Sequence, residues 1–525
     1  MANVIREPCD EGVILSRKSV SPCTKVEGRW ILAATILASS MAFIDGTVVN
    51  VALPFLQKSL NATVIGVQWV VEAYSLFLSA LLLVGGSLGD RYGRKQIFVI
   101  GVILFALAST WCGLAANLNQ LIVARAVQGV GGALLVPGSL AIIGVAFDSD
   151  QRGRAIGTWS GFSAITTAIG PVLGGWLIEH VSWRAVFFLN LPLAAAVVVI
   201  SLWHVSESRD INESGPLDWR GAVLATIALG GLVYGLIESS RAGFGNSMVL
   251  GPLFIGIVAL AGFVFNESRA RNPMLPLRLF RSRNFSGANL LTLLLYAALG
   301  GALFFLTLNF IQVQGYSATA AGAAFLPFVL IMFSLSRWSG GLVDRFGARL
   351  PLIIGPLIAA LGFAMFILPG TSANYWSSFF PAVVVLGLGM AVSVAPLTTT
   401  VMGSVKEEQA GIASGINNAL SRAAGLLAIA IFGVVMLSTF NRNFDHRLAN
   451  IDIGDEARHS LYEQRVKLAG LELSPTLNAA TRRQLEQAVA DSFVSGYRLI
   501  MLIAACLAGM SAASTWMMIG NNARD

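Results

Sequence analysis

Asp45, Glu72 and Arg125 stand inside long apolar stretches, and Arg337 and Arg422 do so further along the chain. Charge at membrane depth is expensive and calls for a partner or a purpose. A carboxylate in a partly dry cavity can take up a proton or a cation, and a neighbouring guanidinium competes with both. Two carboxylates and a guanidinium at similar depth would therefore suit the exchange of protons against a positively charged solute. The parts of an enzyme are missing. His180, His204, His446 and His459 lie at the ends of apolar runs or between them, with no nucleophile at membrane depth beside them. No Gly-x-x-x-x-Gly-Lys-Ser/Thr loop for nucleotide phosphates occurs. Cys9 and Cys23 fall in a polar N-terminal stretch and Cys112 and Cys506 in apolar ones, a spacing of neither a disulfide framework nor a metal site. The expectation is a non-enzyme that needs no cofactor and no metal.

The elements that must position these groups are membrane helices. Of 525 residues, 55% are hydrophobic and 12% charged, and the mean hydropathy is +0.71. A soluble protein carries about a quarter of its residues as charges, so a solvated enzyme, a disordered chain and a nucleic-acid binder are excluded. Apolar runs long enough to cross a bilayer core of about 30 Å fall near 30–54, 66–88, 97–116, 119–143, 155–178, 184–203, 218–237, 248–266, 285–313, 319–343, 351–369, 375–401, 410–438 and 493–518, fourteen in all. At about 1.5 Å per residue, Asp45 lies about 13 Å, and Glu72 and Arg125 about 9 Å, below the outer ends of their helices.

Lys and Arg concentrate in alternate connections, while the short loops of the other side hold only Lys58, Arg184 and Arg241. The positive-inside rule then puts both termini in the cytoplasm. It also accounts for most of the net +7 without an anionic partner. The first 29 residues hold no apolar run long enough for a cleavable signal, so the first span is expected in the mature chain. The connection 439–492 is long. Leu461, Val466, Leu468, Leu485 and Val489 lie between charges there, which suits one or two amphipathic helices over the outer mouth; a solvated hairpin without a part in transport fits as well.

Gly86-Ser-Leu-Gly-Asp90-Arg91-Tyr-Gly93 follows the second run, and Gly340-Gly-Leu-Val-Asp344-Arg345-Phe-Gly347 follows the tenth. Both read Gly-x-Leu-x-Asp-Arg-aromatic-Gly, which marks an internal duplication. Its return eight runs later rather than six means that two runs were inserted between the copies. The expected organisation is an N-terminal tail 1–29, a six-helix half 30–203, an inserted pair 218–266, a second six-helix half 285–518 that includes the loop 439–492, and a tail 519–525. Duplicated halves about a central cavity are a transporter's plan.

The run Gly86 to Gly93 with Arg94-Lys95 resembles motif A of the major facilitator superfamily. Leu121 through Arg125, Gln128-Gly129 and Gly131-Gly132-Ala133 resemble its motif B, and Gly170-Pro171-Val-Leu-Gly174-Gly175 resembles antiporter motif C. Asp45-Gly-Thr47-Val-Val-Asn50 on the first span, and Trp183-Arg184 followed by Asn190-Leu-Pro192, are similar to the fourteen-spanner drug:proton antiporter family. This chain departs from the family pattern at Thr166, where motif C usually has Gly, and at Ala348-Arg349, which replace the Arg94-Lys95 pair of the first copy. The resemblance implies an all-α polytopic fold of two six-helix halves plus two inserted central helices. It implies a proton-coupled antiporter of the multidrug efflux and antibiotic-resistance type, exporting hydrophobic compounds, with cations favoured, by alternating access. A defined metabolite, lipid, siderophore or antibiotic is the alternative cargo. Partners are then a small-molecule substrate, protons and the lipid bilayer; the place is the inner (cytoplasmic) membrane and the working unit a monomer.

Roles follow for single residues. Asp45 is expected to carry the proton, Glu72 to draw positive cargo, and Arg125 to pair with a carboxylate or couple to it. Thr47 and Asn50 are the local partners open to Asp45. Motif A (Gly86, Asp90, Arg91, Gly93, Arg94, with Asp344 and Arg345 in the second copy) reads as a gate: Gly86 for close helix approach, Gly93 for a tight turn, Asp90 to cap the next helix or pair with an Arg. In motif C, Pro171 removes a helix hydrogen bond, and Gly170, Gly174 and Gly175 form a flat face for packing between the halves. Asn50, Trp69, Tyr74, Gln128, Asn417 and Arg422 are candidate cavity residues. Arg337 is expected to snorkel towards the inner surface.

Overall fold

In the computed structural model the described residues are 25–147, 149–209, 217–405, 409–471, 473 and 478–520. The tails 1–29 and 519–525 thus fall mostly outside the described residues, as do the side chains of Arg337 and Asp344. Each of the fourteen apolar runs is helical, as an apolar medium demands: only a helix satisfies every backbone N–H and C=O within one segment. In chain order the helices are α1 Lys25–Ser59, α2 Val64–Tyr92, α3 Arg94–Leu114, α4 Leu118–Ala146, α5 Ser149–His180, α6 Asn190–His204, α7 Trp219–Ala242 and α8 Ser247–Arg269. There follow α9 Arg283–Leu308, continued by a π-helical turn Asn309–Val313, and α10, broken into Ala318–Ala323 and Leu326–Gly340. The last four are α11 Arg349–Met365, α12 Phe380–Gly403, α13 Ala410–Leu448 and α14 Ala479–Met518. Among the described residues twelve helices are long and apolar enough to cross a membrane; α11, with 17 residues, is shorter. The short loops stop the helices with polar caps: Thr63, Asn117, Asn246, Ser282 and Ser317 each accept from a backbone N–H in the first turn that follows.

Two packed groups emerge. α1 lies against α5 and α6, and α4 against α2 and α3, forming one half. In the other, α9 packs on α13 and α14, α11 on α12 and α14, and α10 on α12. The halves meet along α5–α10 and α2–α13. α7 and α8 pair with each other, and α7 touches both α2 and α13, so the pair covers that side of the seam. α8 turns Phe254, Ile255, Ile257 and Val258 outward.

The 439–492 connection is no solvated hairpin: most of its described residues are helical and packed. α13 and α14 simply run on past their apolar stretches, over 39 and 40 residues. Between them lie a short helix Asp455–Gln464 and a turn Arg465–Gly470. Leu461, Leu468, Leu485 and Val489 are buried, and Val466 packs against the same core. The turn straps the seam: Lys467 C=O accepts from Gln57 Nε2 at 3.1 Å, and Lys467 Nζ donates to Asn61 Oδ1 at 3.0 Å. Gln312 Nε2 donates to Gln57 Oε1 at 3.1 Å beneath it.

Close approach of α2 to α4 rests on a glycine that sequence reasoning put one residue off. A Cβ on Gly86 would meet only Pro137 Cβ at 3.7 Å, an ordinary contact. A Cβ on Gly85 would run into the Ala133 carbonyl, with the Leu134 Cα at 3.2 Å behind it. Overpacking of this kind costs about 1–3 kcal/mol. Gly85→Ala is therefore expected to lower the detergent-solubilised melting temperature clearly while Gly86→Ala leaves it unchanged; equal behaviour of the two variants would refute this packing.

Candidate functional site

Arg125 on α4 and Asp45 on α1 form a salt bridge through Nη1 and Oδ2, and both residues are 1% exposed. Such a pair survives in a low-dielectric interior only if its remaining polar atoms are also satisfied. They are. Gln128, one helical turn on from Arg125, donates from Nε2 to Asp45 Oδ1 at 2.8 Å and accepts from Arg125 Nη1 at 2.7 Å. Arg125 Nε donates to the Val70 carbonyl of α2 at 3.0 Å. The Tyr74 ring lies 4.3 Å from the guanidinium carbon, a cation–π contact. A glycine makes this possible: a Cβ on Gly129 would strike the Tyr74 carbonyl, so only Gly lets α4 come this close to α2. On the far side Gln128 Nε2 reaches Ser109 Oγ at 3.4 Å and its Oε1 accepts from Cys112 Sγ at 3.7 Å. Ser109 in turn donates to the Phe187 carbonyl at 2.8 Å and accepts from Asn190 Nδ2 at 2.9 Å.

Of the residues singled out in the sequence, Asp45, Arg125, Gln128 and Tyr74 come together, while Thr47 and Asn50 are not the partners of Asp45. Thr47 donates back to the Phe43 and Ile44 carbonyls at 3.0 Å, and Asn50 bonds Gly46 C=O at 3.4 Å with its own Oδ1 unpaired. Ser109 and Cys112 were missed because, in an apolar run, spacing marks a face but not what the face meets.

Glu72 lies elsewhere. It is fully buried, and among the described residues neither carboxylate oxygen has a hydrogen-bond partner. It shares the α2 face of Gln68, four residues earlier, and Gln68 Nε2 donates to the Ile429 carbonyl of α13 at 3.0 Å. Glu72 thus belongs to the seam between halves, not to the Asp45–Arg125 pair. Trp69 packs on Tyr234 of the inserted α7, ring centres 5.9 Å apart. In the second half Asn417 Nδ2 donates to Thr292 Oγ1 at 2.6 Å and Asn289 Oδ1 at 3.2 Å. Arg422 sits on α13 with its Nε unpaired; Asn417 is engaged with α9 instead.

The motif A corner is a helix junction. Gly93, at φ +118°, turns the chain from α2 into α3, a conformation L side chains rarely adopt. Asp90 does not cap α3; it pairs with Arg94, Nε to Oδ1 at 2.7 Å. The cap comes from Glu207, past α6, whose oxygens accept from the Lys95 and Gln96 N–H groups at 3.0 and 3.1 Å. Arg345 is exposed.

Motif C divides its glycines between two partners. Gly170 and Gly174 face Thr47 and Val48 of α1 within the same half. Gly175 alone faces the other half: a Cβ there would lie 2.5 Å from Ala318 C=O and 2.6 Å from Thr319 Cα of α10, while Gly322 meets the Pro171 carbonyl. Backbone lies on backbone. Beside this contact Glu179 accepts from Thr319 N–H at 2.8 Å and Thr319 Oγ1 at 2.7 Å. Glu179 lies just past the apolar run. Burial pushes its carboxyl up, but the bonds from Thr319 and Ser317 and the nearby His180 outweigh that and hold it below the usual carboxylate range. The bond thus contributes at pH values above that range and is lost as pH falls through the lowered value.

A family model described as Major Facilitator Superfamily matches residues 35–429. The tetracenomycin C resistance and export protein of Streptomyces glaucescens is 34% identical over 498 residues, 94% of this chain and 92% of that protein. The multidrug resistance protein Stp of Mycobacterium tuberculosis is 34% identical over 500 residues, 92% of this chain and 91% of that protein. The methylenomycin A resistance protein of Bacillus subtilis is 31% identical over 420 residues, 80% of this chain and 90% of that protein. Among solved structures, an inward-facing, unoccupied bacterial homologue of the human lysosomal transporter Spinster superposes with a TM-score of 0.63 at 17% identity, covering 94% of this chain and 99% of that one. At that identity the likeness speaks for the fold.

Breaking one side of the buried pair should cost about 3–5 kcal/mol, because the other charge is left without its counterpart. Asp45→Asn is expected to lower the melting temperature sharply, and Asp45→Asn with Arg125→Gln to recover part of the loss. A double variant no better than the single one would show that the pair does not hold the half together.

Proposed function

The chain belongs to the major facilitator superfamily, and we propose that it is a proton-driven antiporter that exports hydrophobic, positively charged compounds across the cytoplasmic membrane by alternating access. The observation that carries this reading is a satisfied buried ion pair, Asp45 with Arg125, and apart from it a buried carboxylate, Glu72, without a partner among the described residues. A proton on Asp45 cancels its attraction for Arg125 and leaves the guanidinium to Gln128 and Val70, which gives the α1–α4 contact two states that a proton selects. Glu72, on the face of α2 turned to α13, is neutralised either by a proton or by the positive end of a cargo. Occupancy at Glu72 is felt by both halves. The names of the relatives, which speak of multidrug resistance and of export, support outward drug transport.

In this reading the chain crosses the bilayer fourteen times and works as a monomer, with both termini and the end bearing Arg91, Arg94 and Lys95 in the cytoplasm. The opposite end, where Gly175 meets Ala318 and the 465–470 turn straps Gln57, is the outer mouth in its closed state. Asp90–Arg94, Gly93 and the Glu207 cap make the motif A corner a rigid pivot for the change. A narrower cargo is the second reading. Two relatives are named for one antibiotic each, tetracenomycin C and methylenomycin A, which favours a single defined compound.

The test is efflux from liposomes holding the purified protein under an imposed pH gradient, with a panel of cationic and neutral compounds. Transport is expected to follow the gradient and to collapse with a protonophore; ATP-driven export without a gradient would overturn the coupling. Asp45→Asn is expected to abolish gradient-driven export of every compound. Glu72→Gln is expected to weaken cations by about 1–3 kcal/mol, the loss of a hydrogen bond to a charged group, and to spare neutral compounds. Equal loss for both classes would remove Glu72 from cargo recognition, and response to one compound alone would decide for the narrow reading.

A further inference from the structure

Where α7 begins and α8 ends, a groove of about 760 Å³ opens between them, lined by Trp219, Arg220, Leu224, Phe265, Asn266 and Arg269. Among the described residues, the acids of this corner, Asp218 and Glu267, have hydrogen-bond partners of their own. Asp218 accepts from Gly221 N–H at 2.8 Å and from Asn266 Nδ2 at 2.8 and 3.0 Å. Glu267, 3% exposed, accepts from Leu275 N–H at 2.8 Å. Arg220 and Arg269 are left outward and exposed, and among the described residues neither has an ion-pair partner. Arg269 lies over the Phe265 ring at 4.3 Å, which holds its guanidinium at the groove.

Two further observations say what fits. The groove lies at the end of both apolar helices, and Trp219, 56% exposed, stands there as an interfacial aromatic does. It also runs on into the outward face of α8, where Phe254, Val258 and Phe265 follow one another at helical spacing and are all more than half exposed. Guanidinium forks match phosphate oxygens bidentately, and an apolar strip below them matches acyl chains. A soluble anion would use the arginines but leave the strip uncovered.

We propose that this groove binds an anionic phospholipid of the adjoining leaflet, its phosphate between Arg220 and Arg269 and its chains along α8. The occupant is a membrane lipid, independent of the exported cargo. Because α7 packs on both α2 and α13, a lipid clamped to the inserted pair sits against the seam that the halves must work.

Full-length protein in neutral detergent, titrated with phosphatidylglycerol or phosphatidylcholine and weighed by native mass spectrometry, tests this. The unmodified protein is expected to retain phosphatidylglycerol over phosphatidylcholine. Arg220→Ala with Arg269→Ala is expected to cut that retention by about fivefold or more, as loss of two juxtamembrane charges demands, and the paired Lys substitutions to keep an intermediate share. Arg483→Ala, an exposed charge at the far end of the molecule, is expected to change nothing. Undiminished phosphatidylglycerol in the double Ala variant, no preference over phosphatidylcholine in the unmodified protein, or an equal loss in Arg483→Ala would each overturn the proposal.

Discussion

A charge inside a membrane protein is costly unless its opposite is held beside it, and the first half is arranged around one such pair, Asp45 with Arg125. The demand spreads outward by one shell at a time. Gln128 must bridge the pair, Val70 must lend a carbonyl, and Tyr74 must present its face. Those contacts fix the distance of α2 from α4, and that distance is possible only because Gly85 and Gly129 give α2 and α4 bare backbone where they touch. The glycines are therefore part of the electrostatics. Without them the helices would part, and the guanidinium would lose the carbonyl that completes its shell.

Between the halves the physics is different. No ion pair of comparable burial ties α5 to α10 among the described residues; glycine backbone lies on backbone, with one carboxylate, Glu179, bonded to the first turn of the facing helix. Contacts of that kind rest on close fit and are lost over a small displacement. A half held by buried charge thus meets its neighbour along a seam held by shape.

Much of this was legible in the sequence. The fourteen apolar runs and the duplicated motif follow from composition and spacing, and the cost of charge at depth singles out Asp45 and Arg125 without making them each other's partner. What stayed hidden were the partners supplied from elsewhere in the chain. Glu207 caps α3 from more than a hundred residues away, and Ser109, an ordinary serine in an apolar run, closes the network behind Gln128. Gly85 and Gly86 are indistinguishable as letters; only the position of Ala133 separates them. In 439–492 the charges hide the continuation of two membrane helices, whose buried positions there include Phe440, Phe444, Leu448, Leu485 and Val489. Glu72 was placed with Arg125 by depth alone, and depth says nothing about which side of a helix a residue occupies.

The unbroken extension of α13 gives the molecule a lever. Its 39 residues amount to about 58 Å of rigid rod at 1.5 Å per residue, roughly twice the thickness of the apolar core. If the second half tilts by about 10° around the middle of the bilayer, the far tip of the rod, about 30 Å away, is carried through an arc of about 5 Å. The bonds of the 465–470 turn to Gln57 and Asn61 span 3.1 and 3.0 Å and do not tolerate such a stretch. A rotation too small to disturb the packing of helices near the pivot would thus be amplified at the tip into a complete release of the strap.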